Sequence, residues 1–146
     1  MSPDGRLLGL DLGSRRIGVA VSDSARTLAT GAATIHRDRL AVDHAAIAAL
    51  VSEYEAVGVI VGVPYSMSGE VGAAAQAVLD EIKTLADVLP VPVSEVDERL
   101  TTVVASSRLS AAGRSSRQQR SVIDQTAAAA LLQTWIDRQA ALGRRS

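Results

Sequence analysis

Three acidic residues stand at positions where acidic residues are unexpected. Asp11 interrupts a short apolar segment near the N-terminus, Glu98 follows Asp97 at the end of another, and Asp124 lies beside the apolar face of a predicted C-terminal helix. Carboxylates that converge repel and desolvate one another unless cations bind between them. Hard oxygen ligands of this kind suit Mg²⁺ or Mn²⁺. Taken together, the three positions indicate a candidate metal site.

Each of these acids also has a local structural alternative. Asp11 begins a D-L-G-S turn signal and could bond to the backbone of that turn. Asp97 and Glu98 could form a solvated strand end. Asp124 comes three residues after Ser121 and fits a helix-capping box. Convergence of the three acids at one end of a sheet is the hypothesis that separates a metal site from these local roles.

The composition excludes several other kinds of site. The chain of 146 residues has no cysteine, which excludes thiol catalysis, disulfide bonds and cysteine-ligated zinc or iron–sulfur centres. Two histidines argue against a histidine-rich metal site. No phosphate-binding P-loop, dinucleotide-binding glycine motif or G-x-S-x-G serine motif occurs. Chemistry therefore depends on carboxylates, hydroxyls and arginines.

The net charge of −1 conceals an uneven distribution. Residues 1–100 carry 8 basic and 14 acidic side chains, whereas residues 101–146 carry 7 arginines and 2 acids. A stretch of the second part without any acidic residue contains four arginines, Arg108, Arg114, Arg117 and Arg120. Such a cluster suits contacts with phosphate, because the planar guanidinium of arginine binds two oxygens at once.

Hydropathy and turn signals predict the elements that must position these residues. Short apolar runs bounded by turn residues predict five strands, at Arg6–Leu12, Arg16–Asp23, Thr27–His36, Val57–Val63 and Val91–Asp97. Helical spacing and composition predict four helices, at Leu40–Glu55, Gly72–Val88, Thr101–Ala112 and Ser121–Leu142. The apolar positions of the first helix are Val42, Ala45, Ala46, Ala49 and Leu50. The order implies an α/β fold with a mixed five-stranded sheet, a three-stranded antiparallel meander followed by crossovers, flanked by helices.

Length and composition bound the organisation of the chain. Residues 1–146 are expected to form one domain, since this length and 47% hydrophobic content suffice for one core. Residues 113–120 contain no apolar side chain and are predicted to be a mobile basic loop. No apolar run approaches the roughly 20 residues of a membrane span, and the N-terminus lacks the pattern of a signal peptide. We therefore expect a soluble, cytoplasmic protein that does not contact a membrane.

The sequence resembles the YqgF family, also called RuvX, in four segments that follow the order and spacing of the family. They are LLGLDLGSRRIGVAVSD at 7–23, VIVGVPYSMSGEVG at 59–72, VDERLTT at 96–102 and IDQTAAAALLQTWID at 123–137. That family has a ribonuclease H-like fold and is related to Holliday junction resolvases. Its bacterial members are described as resolvases or as nucleases that process the 5′ end of pre-16S ribosomal RNA. The resemblance therefore implies a ribonuclease H-like nuclease.

The resemblance also implies roles for individual residues. Asp11, Glu98 and Asp124 would be the catalytic and metal-binding acids, with Glu98 preferred over Asp97 by analogy with related nucleases. Substrate contacts would come from Ser14, Arg15, Arg16, Tyr65, Arg99, Arg114, Arg117 and Arg120. Arg99 could instead pair with a neighbouring carboxylate, and Tyr65 could stack on a base. The family often has Thr-Lys where this chain has Ser14-Arg15-Arg16, which keeps the basic character.

The mechanism that follows from the resemblance uses two divalent ions, Mg²⁺ or Mn²⁺, held roughly 3.5–4 Å apart by shared carboxylates. These ions would activate a water and stabilise the leaving 3′ oxygen, with Asp11 bridging them. The substrate would be precursor ribosomal RNA or branched DNA. A resolvase that cuts two strands symmetrically would act as a two-fold homodimer, whereas an RNA-trimming enzyme could act as a monomer.

Two other functions remain open from the sequence. A non-cleaving nucleic-acid-binding accessory factor in ribosome maturation or transcription fits the acidic first 100 residues, because that charge weakens affinity for nucleic acid without a ribosomal or processing-factor partner. An actin-like phosphotransferase would share the D-L-G-S turn. That architecture needs two ribonuclease H-like domains, for which 146 residues are too few. The presence of all three acids favours the nuclease.

Overall fold

A computed structural model of the chain describes residues 4–101 and 116–145. The elements in these ranges are β1 (Leu7–Leu12), β2 (Arg16–Ser22), β3 (Ala29–His36), α1 (Leu40–Glu53), β4 (Gly58–Val63), α2 (Ala73–Val88), β5 (Val93–Asp97), a 3₁₀ turn (Glu98–Leu100) and α3 (Ser116–Arg145). The strands form one sheet in the order β3-β2-β1-β4-β5. The first three strands are antiparallel, and β4 and β5 run parallel to β1. This is the predicted mixed sheet.

Alternating side chains give the sheet two buried faces. Leu8, Leu10 and Leu12 of β1 point into a core shared with α1 and α2, whereas Leu7 points into a second core formed with α3. All six residues of β4 are buried, because a central strand with helices on both faces has no solvated side. The helices α1 and α2 therefore cover one face of the sheet, and α3 covers the other.

Glycines on the strands let α3 lie close to the sheet. A Cβ placed on Gly18 of β2 would fall 2.0 Å from the backbone oxygen of Asp124, and one on Gly9 of β1 would fall 2.7 Å from the Cβ of Leu132. Any larger residue at either position would push the helix away from the strands. The glycines thus fix the height and the register of α3 over β1 and β2.

The C-terminal helix α3 begins earlier than the sequence predicts. It starts at Ser116, so residues 116–120 of the predicted mobile loop are helical. Arginine and glutamine, which recur in this segment, are good helix formers and can extend a helix that is anchored by packing further along. Residues 113–115 of that loop lie outside the described residues. So does the predicted helix Thr101–Ala112, apart from Thr101 itself.

The helix α3 is 30 residues long, which corresponds to about 45 Å. It contacts each of the five strands. Among the helices of the described ranges, none is both long enough and apolar enough to cross a membrane. The length of α3 allows it to follow the whole width of the sheet, so that its N-terminal part reaches the edge where β1 ends and β2 begins.

Candidate active site

Asp11 and Asp124 come together on the α3 face of the sheet. Asp11 alternates with Leu10 and Leu12, which point into the opposite core, so its side chain is on the side of α3. In the β1–β2 ladder Asp11 lies directly across from Gly18. Gly18 is also the residue against which the backbone of Asp124 packs. The glycine therefore sets the two acids beside each other on neighbouring elements.

A cation from the chain itself engages the Asp124 carboxylate. Nε of Arg16 donates to Oδ2 of Asp124 across 2.7 Å, and the two side chains are 23% and 16% exposed. Arg16 opens β2 two residues before Gly18, so alternation directs it to the same face of the sheet. The sequence predicts a substrate contact for Arg16. In the structure its guanidinium forms an ion pair with Asp124, and the substrate contact stays a prediction.

Glu98 follows β5 as the first residue of the 3₁₀ turn. Val93 packs into the core of α1 and α2, whereas Val96 packs into the core of α3. Strand alternation ends at Asp97, the last residue of β5, so it does not assign a face to Glu98. The preference for Glu98 over Asp97 as a third ligand stays a prediction from the family resemblance. The strand β4 lies between β5 and β1, so Glu98 starts two strands away.

Asp97 takes part in a structural contact with Arg99. Its carboxylate accepts a hydrogen bond from the backbone N–H of Arg99 at 2.9 Å and another from Nη2 of Arg99 at 2.5 Å. The hydrogen bonds from the Arg99 side chain hold the pKa of Asp97 below its usual value. Arg99 therefore pairs with a neighbouring carboxylate, one of the two roles that the sequence leaves open. Since Glu98 lies between these residues, their ion pair fixes the turn that carries it.

Tyr65 belongs to the same cluster as Arg99. Its hydroxyl donates a hydrogen bond of 2.6 Å to Glu95, and this bond raises the pKa of Tyr65 above its usual value. The Arg99 guanidinium lies 5.9 Å from the centre of the Tyr65 ring, within the range of a cation–π contact. Tyr65 thus joins the loop after β4 to the end of β5.

Further polar residues predicted to contact substrate lie close to the paired acids in the sequence. Ser14 and Arg15 are exposed in the turn that follows Asp11, and Arg120 is exposed one helical turn before Asp124. The two other arginines assigned to substrate are Arg117, in the first turn of α3, and Arg114, outside the described residues. Exposed hydroxyl and guanidinium groups at this edge can meet a phosphate backbone without disturbing the fold.

The three acids do not form an assembled metal site in this arrangement. Within the ranges 4–101 and 116–145, no three Asp, Glu or His side chains lie close enough together to hold a metal ion. The Arg16 guanidinium holds Asp124, and Glu98 is two strands from Asp11. The donor chemistry nevertheless fits a hard divalent cation, because Asp11 and Asp124 offer carboxylate oxygens from adjacent positions. Of the predicted triad, Asp11 and Asp124 are therefore brought together, and Glu98 stands at the end of β5.

The sequence analysis missed one cluster of polar residues, on the opposite face from the acids. Asp43 and His44 of α1 are only 1% and 2% exposed, and they join Arg37 and Glu81 in a network of ion pairs. A polar residue in register with Ile47 and Val51 along one helical face is the signal that could have revealed it. Asp43 stands four residues before Ile47 and was not recognised as buried.

The fold is that of RuvC. A chain described as T. thermophilus RuvC in complex with Holliday junction substrate matches this structure with a TM-score of 0.59 at 17% identity, covering 93% of this chain and 96% of that one. A further Thermus thermophilus RuvC structure matches with a TM-score of 0.54 at 15% identity, covering 92% and 96%. At these identities the similarity concerns the fold alone, which is ribonuclease H-like, as predicted.

The family model described as RuvX, Holliday junction resolvase, matches residues 5–138. A protein of Mycolicibacterium paratuberculosis named "Putative pre-16S rRNA nuclease" is 48% identical over 141 residues, which are 96% of this chain and 84% of the relative. A relative from Mycobacterium tuberculosis H37Rv with the same name is 48% identical over 138 residues, 94% and 81% of the two chains. The chain belongs to the RuvX family, as its four sequence segments predict. By family it is a nuclease, a hydrolase that acts on phosphodiester bonds.

Proposed function

We propose that this protein is a nuclease dependent on Mg²⁺ or Mn²⁺ that trims the 5′ end of pre-16S ribosomal RNA. The observation that carries the proposal is the apposition of Asp11 and Asp124 across Gly18 on the α3 face. The choice of substrate is supported by relatives that are 48% identical to this chain over the aligned residues and are named for that RNA.

Asp11 and Asp124 are the residues that would hold the metal, with Glu98 as the third acid. A divalent cation bound there would supply Lewis-acid stabilisation of the phosphate and would lower the pKa of a water. Arg16 binds one oxygen of Asp124 and would oppose a cation there by its charge. Glu98 would complete the set of ligands from the end of β5.

Ser14, Arg15 and Arg120 would bind the substrate backbone around the acids. The hydroxyl and the guanidinium groups donate hydrogen bonds to phosphate oxygens, and such contacts orient the strand without reading its bases. Arg16, once released from Asp124, would add a further guanidinium beside the scissile phosphate. Binding of this kind weakens as the salt concentration rises.

A four-way DNA junction is the second candidate substrate. The family description as a Holliday junction resolvase favours it. The same acids would cut either substrate, so the difference lies in how many active sites must act together. Symmetric cutting of a junction calls for a two-fold dimer, whereas trimming of one RNA end does not.

Cleavage of a synthetic pre-16S 5′-end fragment and of a four-way junction, each in Mn²⁺ and in EDTA, tests the proposal. The variant Asp11→Asn is nearly isosteric and removes one ligand charge. Asp137→Asn is the matched control, because it removes an exposed acid further along α3. We expect Mn²⁺-dependent cutting of the RNA that falls by about 100-fold or more in Asp11→Asn and is unchanged in Asp137→Asn.

Other outcomes would contradict the proposal in distinct ways. Cutting of the junction alone would assign branched DNA as the substrate, and a dimer in sedimentation would be expected with it. If the folded protein binds Mn²⁺ but cuts neither substrate, the nuclease proposal is overturned. The non-cleaving accessory factor of ribosome maturation or transcription would then replace it, and a processing-factor partner would be sought.

A further inference from the structure

Arg37 ties the turn that follows Asp11 to the helices on the opposite face of the sheet. Its Nε donates to the backbone oxygen of Gly13 at 2.9 Å. Its backbone N–H donates to the oxygen of Arg15, also at 2.9 Å. Two carbonyl groups of the same turn are therefore held by one residue, which stands just after β3.

The other nitrogens of Arg37 enter a buried network. Nη1 and Nη2 bind the two carboxylate oxygens of Glu81 on α2 at 2.7 and 2.9 Å, and Nη1 also lies 3.3 Å from Oδ2 of Asp43 on α1. His44 completes the network with a contact of 2.8 Å between its Nε2 and Glu81. The four side chains are between 2% and 15% exposed.

Such a network is a poor means of stabilising a fold. Taking charges out of water costs several kcal/mol per ion, and well-packed apolar residues often stabilise a protein as much. A guanidinium whose two Nη atoms are both bound to one carboxylate holds its Nε–H group in a fixed direction. Here that group, Nε–H, points at the Gly13 carbonyl.

We propose that Arg37 is a positioning residue for nucleic-acid binding: anchored by Glu81 and Asp43, it fixes the turn Gly13–Arg16. Ser14 and Arg15 are exposed in that turn. The turn ends at Arg16, which forms the ion pair with Asp124. The proposal rests on the proposed function, since it assigns the turn to contact with a phosphodiester backbone. Arg37 itself is buried beneath the turn and does not touch the substrate.

The variant Arg37→Lys tests this role because it keeps the charge but cannot hold Glu81 and the Gly13 carbonyl through one rigid fork. We expect amide hydrogen exchange in residues 13–16 to become at least tenfold faster while that of β4 is unchanged. Affinity for the pre-16S fragment and for the junction, measured in EDTA, should fall about tenfold. In Mn²⁺ the loss should appear in KM, with kcat within about twofold of the wild-type value.

Arg26→Lys is the matched control. Nε of Arg26 also donates to a loop carbonyl, that of Gly5, at 3.0 Å, but at the opposite end of the β1–β2 hairpin. We expect no change in nucleic-acid affinity for this variant. The variant Glu81→Gln should also weaken the affinity for nucleic acid. In the double variant the loss of binding free energy should be smaller than the sum of the two single losses, because both residues act through one turn.

Several results would overturn the positioning role. These are unchanged exchange in residues 13–16, faster exchange there with unchanged affinity, or an equal acceleration in β4, which would indicate general destabilisation. Failure of the proposed function is recognised separately. A wild-type protein that binds nucleic acid but never cuts it removes the nuclease and leaves the exchange and affinity results to decide the role of Arg37.

Discussion

Arg16 reaches across from β2 to α3 and donates from Nε to Oδ2 of Asp124 at 2.7 Å. The acid proposed to bind a metal is thus already paired with a positive charge supplied by the protein. The guanidinium binds one of the two carboxylate oxygens, and its charge repels a divalent cation that approaches the other. Arg16 therefore opposes the metal electrostatically at Asp124.

The variant Arg16→Gln should bind Mn²⁺ more tightly than the wild type, by roughly three- to tenfold, because the cation no longer meets the positive charge of the guanidinium. Titration calorimetry in the absence of nucleic acid measures this. Arg15→Gln is the control, since it removes the same charge from the adjacent exposed position without breaking the ion pair. A weaker affinity in Arg16→Gln would mean that Arg16 orients Asp124 for the metal instead of competing with it.

Substitution of the two neighbouring acids at the end of β5 should separate their roles. Glu98→Gln should weaken Mn²⁺ binding by about tenfold or more, because it removes the charge of the proposed third ligand. Asp97→Asn should weaken binding less than Glu98→Gln, because this carboxylate binds Arg99 and acts only through the turn that carries Glu98. Metal titration of both variants checks the assignment. A larger loss in Asp97→Asn would transfer the ligand role to Asp97.

Gly18→Ala should destabilise the protein by at least about 2 kcal/mol, since its Cβ would overlap the backbone oxygen of Asp124 and the helix would have to move. Urea unfolding followed by circular dichroism measures the free energy of unfolding. In Gly143→Ala the new methyl group meets no atom within 4 Å, so no loss is expected. An unchanged stability in Gly18→Ala would show that α3 can be displaced without cost.

Stability should fall in acid partly through Glu81. Burial of this carboxylate raises its pKa, but hydrogen bonds from Arg37 and His44 outweigh burial and hold the pKa below the usual 4.5. As the pH falls below that value, the unfolded chain takes up the proton first, so the folded state loses its advantage. Glu81→Gln should therefore show a shallower loss of unfolding free energy between about pH 5 and pH 3. Glu53→Gln removes an exposed carboxylate of α1 as the control, and an identical slope in both variants would contradict the prediction.

The strands could be predicted well because their signals are local. β4 is an apolar run stopped by Pro64, and β1 ends at a D-L-G-S turn, so each boundary depends on a few adjacent residues. The alternation of β1 also correctly isolates Asp11 from its apolar neighbours. The place of Asp124 depends on the face that α3 covers and on the close approach at Gly18, which the order of elements does not specify.

The buried face of α1 could not be predicted by the same means. The apolar positions predicted from its spacing include Val42 and Ala45, yet both are exposed, whereas Asp43 and His44 are buried. Alanine and valine occur on every side of this helix, so its periodicity does not define a face. The buried side was decided by the ion pairs of the network, which involve residues far apart in sequence. The register of Asp43 with Ile47 and Val51 is a signal, but it is weak among alanines and valines on every side of the helix.

The close contact between the backbone of Asp124 and Gly18 provides a way to detect movement of α3 in solution. Because the backbone of the acid rests directly on the strand, any movement of that backbone must shift the axis of α3. The only tryptophan of the chain, Trp135, lies on the same helix about 16 Å further along and packs against the α3 core. A change in its fluorescence on addition of Mn²⁺ would therefore report movement of the helix in unlabelled protein, whereas an unchanged signal would indicate that only side chains rotate.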